Sequence, residues 1–515
     1  MIKINEKNEA PIKPAQKNQD DRSKTMKVIN FNDLGELKFL LKHSSVYGFG
    51  IVIGHFISFL LLPLYTRYLT PADYGVMALV DLVRWVIGLI ISLGVIDSIA
   101  RFYYEYQDLK TRNTVISSAY WITVVLIIVS YPILHYISPF LSSLVFHTME
   151  YSKIFYIALL ALLFGLLTDI GISYLRIRAL SVKYVKINLV RMVFTIICNI
   201  FFVVYLETGI IGIFYANLLS SIVFSLFLAL IVLKETGFGF SIHISKEMIC
   251  FSFPLIFSSI SRGIVNESDK LFINYFFSPI ETGLYTIAQK FGTAIHSLIT
   301  SPFLQAYLPR RFEIMKNAEA KQEYSKILTY YSIAICSIGL LVSMFSTEIL
   351  LVMTTEQYHD AAKFIPAIVL SMIIFGFKYH FDIGMVIEKK TKYIAYINIT
   401  SMLVNISLNW LLIKRFGIVG AIVSMNCSYL TTDLLSLFFS QKLFPIPFDY
   451  IRIFLIFGFS LFIFTLSFLI SIDNLIISIS LKVLLYVLFI ILLLVSRIIP
   501  QEIYQKIKLA VLSKI

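Results

Sequence analysis

Apolar side chains run along this chain in long blocks, and short polar segments separate one block from the next. Each block holds about 20 residues or more, which as an α-helix crosses the roughly 30 Å hydrocarbon core of a bilayer. The pattern predicts an all-α polytopic membrane protein with about fourteen transmembrane helices. The predicted spans lie near residues 44–66, 75–100, 113–137, 154–175, 187–206, 209–232, 249–276, 283–308, 327–347, 362–387, 391–413, 417–440, 450–471 and 475–497.

The turns between these spans repeat at a constant distance. Thr70–Gly75, with the sequence TPADYG, returns 208 positions later as Ser278–Gly283, with the sequence SPIETG. The pair GIIG at 209–212 and GIVG at 417–420 has the same offset. The shared offset indicates a duplicated unit of six spans. Because six is even, both copies enter the membrane in the same orientation, related by a pseudo-two-fold axis along the membrane normal.

The repeat sets the expected domain boundaries. The polar composition of the amino-terminal tail, rich in Lys, Asn, Gln and Asp, predicts disorder there. We expect a cytoplasmic, disordered tail over 1–43, an amino-terminal lobe of spans one to six over 44–233, a cytoplasmic linker over 234–248, a carboxy-terminal lobe of spans seven to twelve over 249–441, and two additional spans with a cytoplasmic tail over 442–515.

Composition and charge agree with a membrane protein. Hydrophobic residues make up 58% of the chain and charged residues 15%, whereas soluble domains have about 25% charged residues. The net charge of +13 could suggest nucleic acid, but 33 of the 44 Lys and Arg residues fall on the side of the amino terminus and 6 on the opposite side. This asymmetry follows the positive-inside rule, so both termini should be cytoplasmic. We expect a multi-pass protein of the cytoplasmic (inner) membrane and no nucleic-acid partner.

Motifs for catalysis do not emerge from the sequence. It contains no phosphate-binding loop of the Gly-x-x-x-x-Gly-Lys-Ser/Thr type. Its four cysteines fall in or at apolar spans and have no metal-ligand spacing. We therefore expect a protein that is not an enzyme and that has no cofactor and no metal site.

Charged side chains inside the spans are the candidates for function, because each costs about 2.5–3.5 kcal/mol at the membrane centre. Asp81 and Arg84 are three residues apart, and so are Glu267 and Lys270. Each pair can therefore neutralise itself on one helix face, and a structural role is at least as good an interpretation as a functional one.

Arg262 and Lys290 differ from these pairs, because neither has an acid three or four residues away. Each needs a partner on another helix or an anion in a cavity. Polar stripes favour a shared central cavity, and separate interhelical hydrogen bonds are the alternative. The stripes consist of Ser259, Arg262, Asn266 and Asp269 in span seven and of Thr286, Lys290, Thr293, Ser297 and Thr300 in span eight.

The repeat also predicts that these charges are not symmetry mates. At the offset of 208 residues, Arg84 corresponds to Gly292, two positions beyond Lys290. Two residues change the depth by about 3 Å but rotate the helix face by about 200°. The two charges should lie at similar depths on different faces.

Residues 62–75, with the sequence LPLYTRYLTPADYG, resemble the first extracytoplasmic turn of bacterial polysaccharide flippases. These belong to the polysaccharide transporter (oligosaccharide flippase) branch of the multidrug/oligosaccharidyl-lipid/polysaccharide exporter superfamily. The turn, its repeat at 278–283 and the arrangement of six, six and two membrane spans extend the resemblance over about residues 40–497. It implies two lobes in a V, with helices one, two, seven and eight lining a central cavity. By position, the cavity would hold His55, Asp81, Arg84, Arg262, Asn266, Lys290 and His296.

The resemblance implies a flippase that moves a polyprenyl-pyrophosphate-linked oligosaccharide across the membrane by alternating access, for O-antigen, capsule or exopolysaccharide biosynthesis. The alternative is a cation-coupled antiporter of the multidrug type. A cavity of net positive charge would favour the flippase, and essential acids with dispensable cations would favour the antiporter. An integral-membrane glycosyltransferase would need a large external loop with catalytic acids, and no external loop here exceeds about 20 residues.

The expected partners are the lipid-linked oligosaccharide, membrane lipid and other polysaccharide assembly proteins, and we expect a monomer. If transport is coupled to H⁺ or Na⁺, a buried carboxylate should carry the ion. The candidate carboxylates are those of Asp81, Asp97, Glu267 and Asp269.

Overall fold

The fold is seen in a computed structural model, which describes Gly54, Ile57, Phe59, residues 61–315, 317–469 and 474–496, and Ile498. The side chains of Ser258, Arg262 and Pro309 lie outside this description. The predicted tail 1–43, most of the first predicted span 44–66 and the carboxy-terminal tail also fall outside the described residues.

The regular elements of the described residues are all helical. The α-helices are Leu62–Tyr68 (α1), Pro71–Ile91 (α2), Val95–Glu105 (α3), Leu109–Phe146 (α4), Ser152–Ile177 (α5), Ser181–Asn199 (α6), Ile210–Thr236 (α7), Ile242–Phe276 (α8), Pro279–Ile295 (α9), Ser301–Ile314 (α10), Ala320–Met344 (α11), Ser346–Met353 (α12), Ile365–Phe381 (α13), Ile383–Ile387 (α14), Lys392–Leu408 (α15), Lys414–Leu443 (α16), Tyr450–Leu469 (α17) and Leu475–Val495 (α18). Other helical segments are π-helical at Ile200–Tyr205, His296–Thr300 and Asn409–Ile413, and 3-10 helical at Glu356–Phe364.

Eleven helical runs within the described residues are long and apolar enough to cross a membrane. The prediction of an all-α polytopic fold is therefore confirmed. The longest run, Lys392–Leu443, has 52 residues. This run covers the two predicted spans near 391–413 and 417–440. The backbone is non-helical at Gly417, where the second of these spans begins.

The internal duplication is visible in the backbone. Gly209 has φ 61° and ψ −144°, and Gly417 has φ 56° and ψ −132°. This region of backbone conformation is essentially restricted to glycine. A π-helical segment ends four residues before each of the two glycines, at Tyr205 and Ile413. The two copies thus share an irregular turn as well as a sequence pattern.

The repeated turn begins α2 in one copy and α9 in the other. The Asp73 amide donates to the Thr70 hydroxyl at 3.2 Å, and the Asp73 carboxylate accepts from the Thr70 amide at 2.8 Å. In the second copy, the Glu281 amide donates to the Ser278 hydroxyl at 3.4 Å. These side chains satisfy amides that a helix start leaves without a partner, which explains why both helices begin here.

The two repeated turns pack directly against each other, and we call this contact the outer crossing. A Cβ atom on Gly75 would lie 1.9 Å from the carbonyl oxygen of Pro279, and one on Gly283 would lie 1.8 Å from that of Pro71. The absence of a side chain lets the two backbones touch. The outer crossing therefore joins the amino-terminal lobe (α1–α7) to the carboxy-terminal lobe (α8–α16) at the end where α2 and α9 begin.

The lobes also touch at the opposite end, where α2 finishes. The Ser252 hydroxyl on α8 donates to the Leu93 carbonyl at 3.0 Å. The Ser241 amide, at the start of α8, donates to the Ser118 hydroxyl on α4 at 3.1 Å. Between these contacts and the outer crossing, α2, α8 and α9 enclose a cavity.

The last two helices, α17 and α18, pack beside the carboxy-terminal lobe. Lys482 on α18 forms an ion pair of 2.6 Å with Glu348 on α12. The Ser478 hydroxyl donates to the same carboxylate oxygen at 2.8 Å. This largely buried pair attaches the added helices to the duplicated body.

Candidate functional site

The cavity between α2, α8 and α9, which we call the central cavity, has a volume of about 810 Å³. Its walls come from both lobes, because α2 and α3 belong to the first and α8 and α9 to the second. The polar residues of its lining are Asp81, Asp97, Ser259, Asn266, Glu267, Lys270, Thr286 and Lys290.

Two ion pairs account for most of the charge around this cavity. Arg84 and Asp81 are 3.0 Å apart, and Lys270 and Glu267 are 2.5 Å apart. Both pairs lie within one turn of their own helix, as their spacing predicted. The predicted mutual neutralisation of these residues is confirmed.

Lys290 differs from both pairs. Its Nζ lies 4.8 Å from the ring centroid of Tyr74, a fully buried residue of the repeated turn. Among the described residues, no carboxylate lies within 4.0 Å of it, although Asp81 acts on it electrostatically over a longer distance. The face of an aromatic ring stabilises a cation without using its hydrogen-bond donors, so the Lys290 ammonium can still bind an anion in the cavity.

The predicted cavity residues have different places in the structure. Asp81, Asn266 and Lys290 line the central cavity. Arg84 borders the cavity through its ion pair with Asp81. The ring of His296 lies 5.6 Å from that of Phe375 on α13, so this histidine faces the interior of the carboxy-terminal lobe.

The two remaining predicted cavity residues fall wholly or partly outside the described part of the chain. His55 lies outside the described residues. Arg262 lies on α8, but its side chain is outside the description. Their proximity to the cavity stays a prediction.

Ser259 and Asn266 of the predicted polar face of α8 line the cavity, but the placement of Asp269 on that face is wrong. Asp269 is 2% exposed and accepts hydrogen bonds from the Tyr285 hydroxyl and the Lys270 amide. Lys270 lines the cavity in its place. Eleven residues complete about three helical turns, so Lys270 returns to the face of Ser259, whereas ten residues leave Asp269 about 80° away.

The carboxy-terminal residues of the second predicted stripe, Ser297 and Thr300, do not line the cavity either. Thr286 and Lys290 line the cavity. Ser297 is buried, and the Thr300 hydroxyl lies 2.9 Å from that of Tyr331 on α11. The contact between Thr300 and Tyr331 connects two helices within the carboxy-terminal lobe, which is the alternative that the stripe left open.

Of the proposed ion-coupling carboxylates, Asp81, Asp97 and Glu267 line the central cavity. Asp97 lies in the first turn of α3, where the helix N-terminus stabilises a negative charge. It lies beyond the carboxy-terminal end of α2.

A second cavity of about 380 Å³ lies inside the carboxy-terminal lobe, between α8, α13, α15 and α16, and we call it the C-lobe cavity. Asn266 lines both cavities. The sequence interpretation did not single out Asp433, the buried acid of this lining. A signal was present, because five small hydroxyl residues four positions apart mark the buried face of α16. These residues are Ser424, Ser428, Thr432, Ser436 and Ser440.

Comparisons with known proteins agree with the fold. The model of a family described as polysaccharide biosynthesis protein matches residues 64–363. An uncharacterized membrane protein of Haemophilus influenzae is 21% identical over 372 residues, which cover 71% of this chain and 88% of that protein.

Solved structures share the fold over most of the chain. The lipid II flippase MurJ, in an inward closed conformation, aligns with a TM-score of 0.70 and 17% identity, covering 90% of this chain and 100% of its own. An inward-facing multidrug resistance MATE family transporter of the MOP superfamily aligns with a TM-score of 0.59 and 15% identity, covering 81% and 96%. At these identities the likeness shows the fold, and it includes members of both predicted functional classes.

Proposed function

Because this chain belongs to the polysaccharide biosynthesis protein family, within the predicted exporter superfamily, we propose that it is a lipid-linked oligosaccharide flippase. It would translocate a polyprenyl-pyrophosphate-linked oligosaccharide across the cytoplasmic membrane by alternating access. The products would serve O-antigen, capsule or exopolysaccharide biosynthesis. Its other partners would be membrane lipid and polysaccharide assembly proteins, and it would act as a monomer without a cofactor.

The observation that carries this proposal is the position of Lys290. It lines a cavity between the two lobes and has no ion-pair partner among the described residues. A pyrophosphate needs cationic hydrogen-bond donors, and an ammonium on an aromatic ring supplies up to three. Arg262 on α8 is the second cation in this proposal, because its position in the sequence leaves it without a local acid.

The charged residues that directly line the cavity favour the alternative, a cation-coupled antiporter. In the described part of the lining, Asp81, Asp97 and Glu267 outnumber Lys270 and Lys290. Including Arg84 and Arg262, which border or are predicted to enter the cavity, reverses the sign. The likeness to a MATE family transporter is consistent with either function, because the two classes share this fold.

Leaflet-specific measurement of the lipid-linked precursor tests the proposal. In cells that lack this protein, a flippase function predicts that the precursor accumulates in the cytoplasmic leaflet and that surface polysaccharide is lost. Reintroducing the full chain should restore both. Normal export in the deletion strain, together with increased sensitivity to cationic drugs, would support the antiporter and contradict the flippase.

Ion coupling can be tested in the same strain. A coupled flippase predicts that export stops when all four candidate carboxylates are changed to Asn or Gln. Export that persists in such a well-expressed variant would show uncoupled transport. The four residues are Asp81, Asp97, Glu267 and Asp269.

The proposed orientation has both termini in the cytoplasm and the outer crossing outside. Ala72 and Ile280 lie in the two repeated turns, and both side chains are at least partly exposed. In a chain whose native cysteines are replaced by alanine, a single cysteine at either position should react with an impermeant thiol reagent in intact cells. If labelling required cell lysis, these turns would lie on the cytoplasmic side, and the proposed orientation would be wrong.

A further inference from the structure

The C-lobe cavity lies on another face of α8 from the central cavity, and the two cavities share the lining residue Asn266. Phe257, Ser261 and Val265, spaced by four residues on α8, face the C-lobe cavity. Ser259 faces the central cavity. Asn266 lies at the edge between the two faces, and its Oδ1 accepts from the Tyr429 hydroxyl at 3.4 Å. A molecule bound in the central cavity can therefore contact a residue that also lines the C-lobe cavity.

The polar groups of the C-lobe cavity have unused hydrogen-bonding capacity. Lys378 donates to Asn398 Oδ1 at 2.8 Å, and an ammonium group has three donors. Asp433 is 6% exposed, and its Oδ1 has no hydrogen-bond partner among the described residues. Buried polar atoms are nearly always paired, so this oxygen is positioned for a ligand or an ordered water.

Aromatic rings form the other side of the lining. The ring of Phe375 lies 5.0 Å from that of Tyr429 and 5.8 Å from that of Tyr379. Phe257, which is 62% exposed, lies on α8 at the other side of the cavity. Small-molecule sites combine such apolar walls with a few convergent polar groups in a volume of about 300–1,000 Å³, a range that includes this cavity.

The lining offers a metal ion few ligands. The Asp433 carboxylate interacts electrostatically with both the Asp382 carboxylate and the Lys378 ammonium. Within the described part of the chain, no group of three or more His, Cys, Asp or Glu side chains could hold a metal. A neutral ligand with hydroxyl groups fits better, because each hydroxyl can both accept from Lys378 and donate to Asp433.

We propose that the C-lobe cavity is a saccharide subsite that binds sugar of the lipid-linked glycan while its pyrophosphate occupies the central cavity. This inference rests on the proposed flippase function and adds the place of sugar recognition. The aromatic rings pack against the apolar face of a sugar ring. Lys378, Asn398 and Asp433 bind its hydroxyl groups.

Binding measurements on the full chain in lipid nanodiscs test this subsite. The two probes are a polyprenyl pyrophosphate without sugar and the same carrier bearing a single N-acetylglucosamine. Wild-type protein should bind the sugar-bearing probe at least about tenfold more tightly, the size expected for hydrogen bonds to charged groups. Asp433→Asn and Lys378→Met should each reduce this ratio towards one, with the affinity for the bare carrier unchanged.

Thr431→Val is the matched control. Thr431 precedes the lining residue Thr432 on α16, but it does not line the cavity, and its hydroxyl donates to Cys427 in its own helix at 2.8 Å. This variant should keep the wild-type ratio. If Asp433→Asn does not fold, Lys378→Met and Asn398→Ala decide the question, because both residues are proposed to bind the sugar hydroxyls.

The outcomes separate this inference from the proposed function. Equal affinity of wild-type protein for both probes would overturn the saccharide subsite and leave the flippase proposal intact. A preference for sugar that survives in Asp433→Asn and Lys378→Met would also overturn it, because the recognition would then lie elsewhere. Failure of both probes to bind wild-type protein would contradict both proposals.

Discussion

The two copies of the duplicated unit match at the outer crossing and differ at the central cavity. At the crossing, Gly75 and Gly283 each place a backbone against the carbonyl group of the other copy, at nearly equal hypothetical Cβ distances of 1.9 and 1.8 Å. At the cavity, one copy has the ion pair of Arg84 and Asp81, and the other has, besides the ion pair of Lys270 and Glu267, the additional cation Lys290 on a tyrosine ring. A symmetric backbone contact requires the same small residue from both copies. A binding site shared by the two copies can take its cation from one copy alone.

The position that corresponds to Arg84 shows how the copies diverged. Gly292 occupies it, and a Cβ atom there would lie 2.8 Å from Cγ2 of Ile368 on α13. A long side chain at this position would push α9 away from α13. The second copy therefore has its cation two residues earlier, on another face of α9, as the sequence predicted.

The largest expected effect is at the outer crossing. Gly75→Ala and Gly283→Ala should each lower the free energy of unfolding by at least about 1–3 kcal/mol, because the new methyl group meets a backbone that cannot rotate away. The thermal unfolding midpoint of the purified protein would measure this loss. The matched control is Gly165→Ala on α5, since its Cβ atom would meet nothing within 4 Å.

Equal losses from the two crossing variants, with no loss from Gly165→Ala, would support the symmetric contact. An unfolding midpoint that is unchanged in Gly75→Ala but lowered in Gly283→Ala would show that the two copies contribute unequally to the outer crossing.

The next effect concerns the asymmetric cation. Lys290→Met should reduce polysaccharide export at least about tenfold at normal protein abundance, because it removes the ammonium proposed to bind pyrophosphate. Lys290→Arg should retain part of the export. Arg262→Ala should have the same effect as Lys290→Met, and Arg262→Lys should recover part of the activity, since charge survives but bidentate geometry does not.

These results would be read from surface polysaccharide and from membrane abundance of the variant. Lower abundance of Arg262→Ala, rescued by removal of an acid on a neighbouring helix, would assign Arg262 to a structural ion pair. Full polysaccharide export by a well-expressed Lys290→Met protein would show that Lys290 is not part of the binding site.

The smallest expected effect is at the ion pair of the first copy. Arg84 and Asp81 are partly exposed to the cavity, so their contact should contribute about 0.2–1 kcal/mol. A double-mutant cycle with Arg84→Met and Asp81→Asn, read from unfolding midpoints, would measure it. A coupling above about 3 kcal/mol would instead indicate a desolvated pair and would make the two copies energetically more alike than their geometry suggests.

Much of the architecture could be predicted from local features of the chain. Blocks of apolar residues predict the membrane helices, because a chain in lipid must pair its backbone hydrogen-bonding groups internally and an α-helix does so. The repeated turns predict the duplication, since Thr70 and Ser278 cap helices and Gly209 and Gly417 adopt a conformation that other residues avoid. The two ion pairs followed from spacing alone, because residues three apart on a helix are neighbours.

Packing between helices decided what the sequence left open. Asp269 and Lys270 are adjacent, and only the rotation of α8 against its neighbours places one inside the lobe and the other in the central cavity. The tyrosine beneath Lys290 and the C-lobe cavity around Asp433 join residues that are far apart in the sequence. A helical pattern determines which residues share a face, but the direction of that face depends on contacts with other helices, which periodicity does not specify.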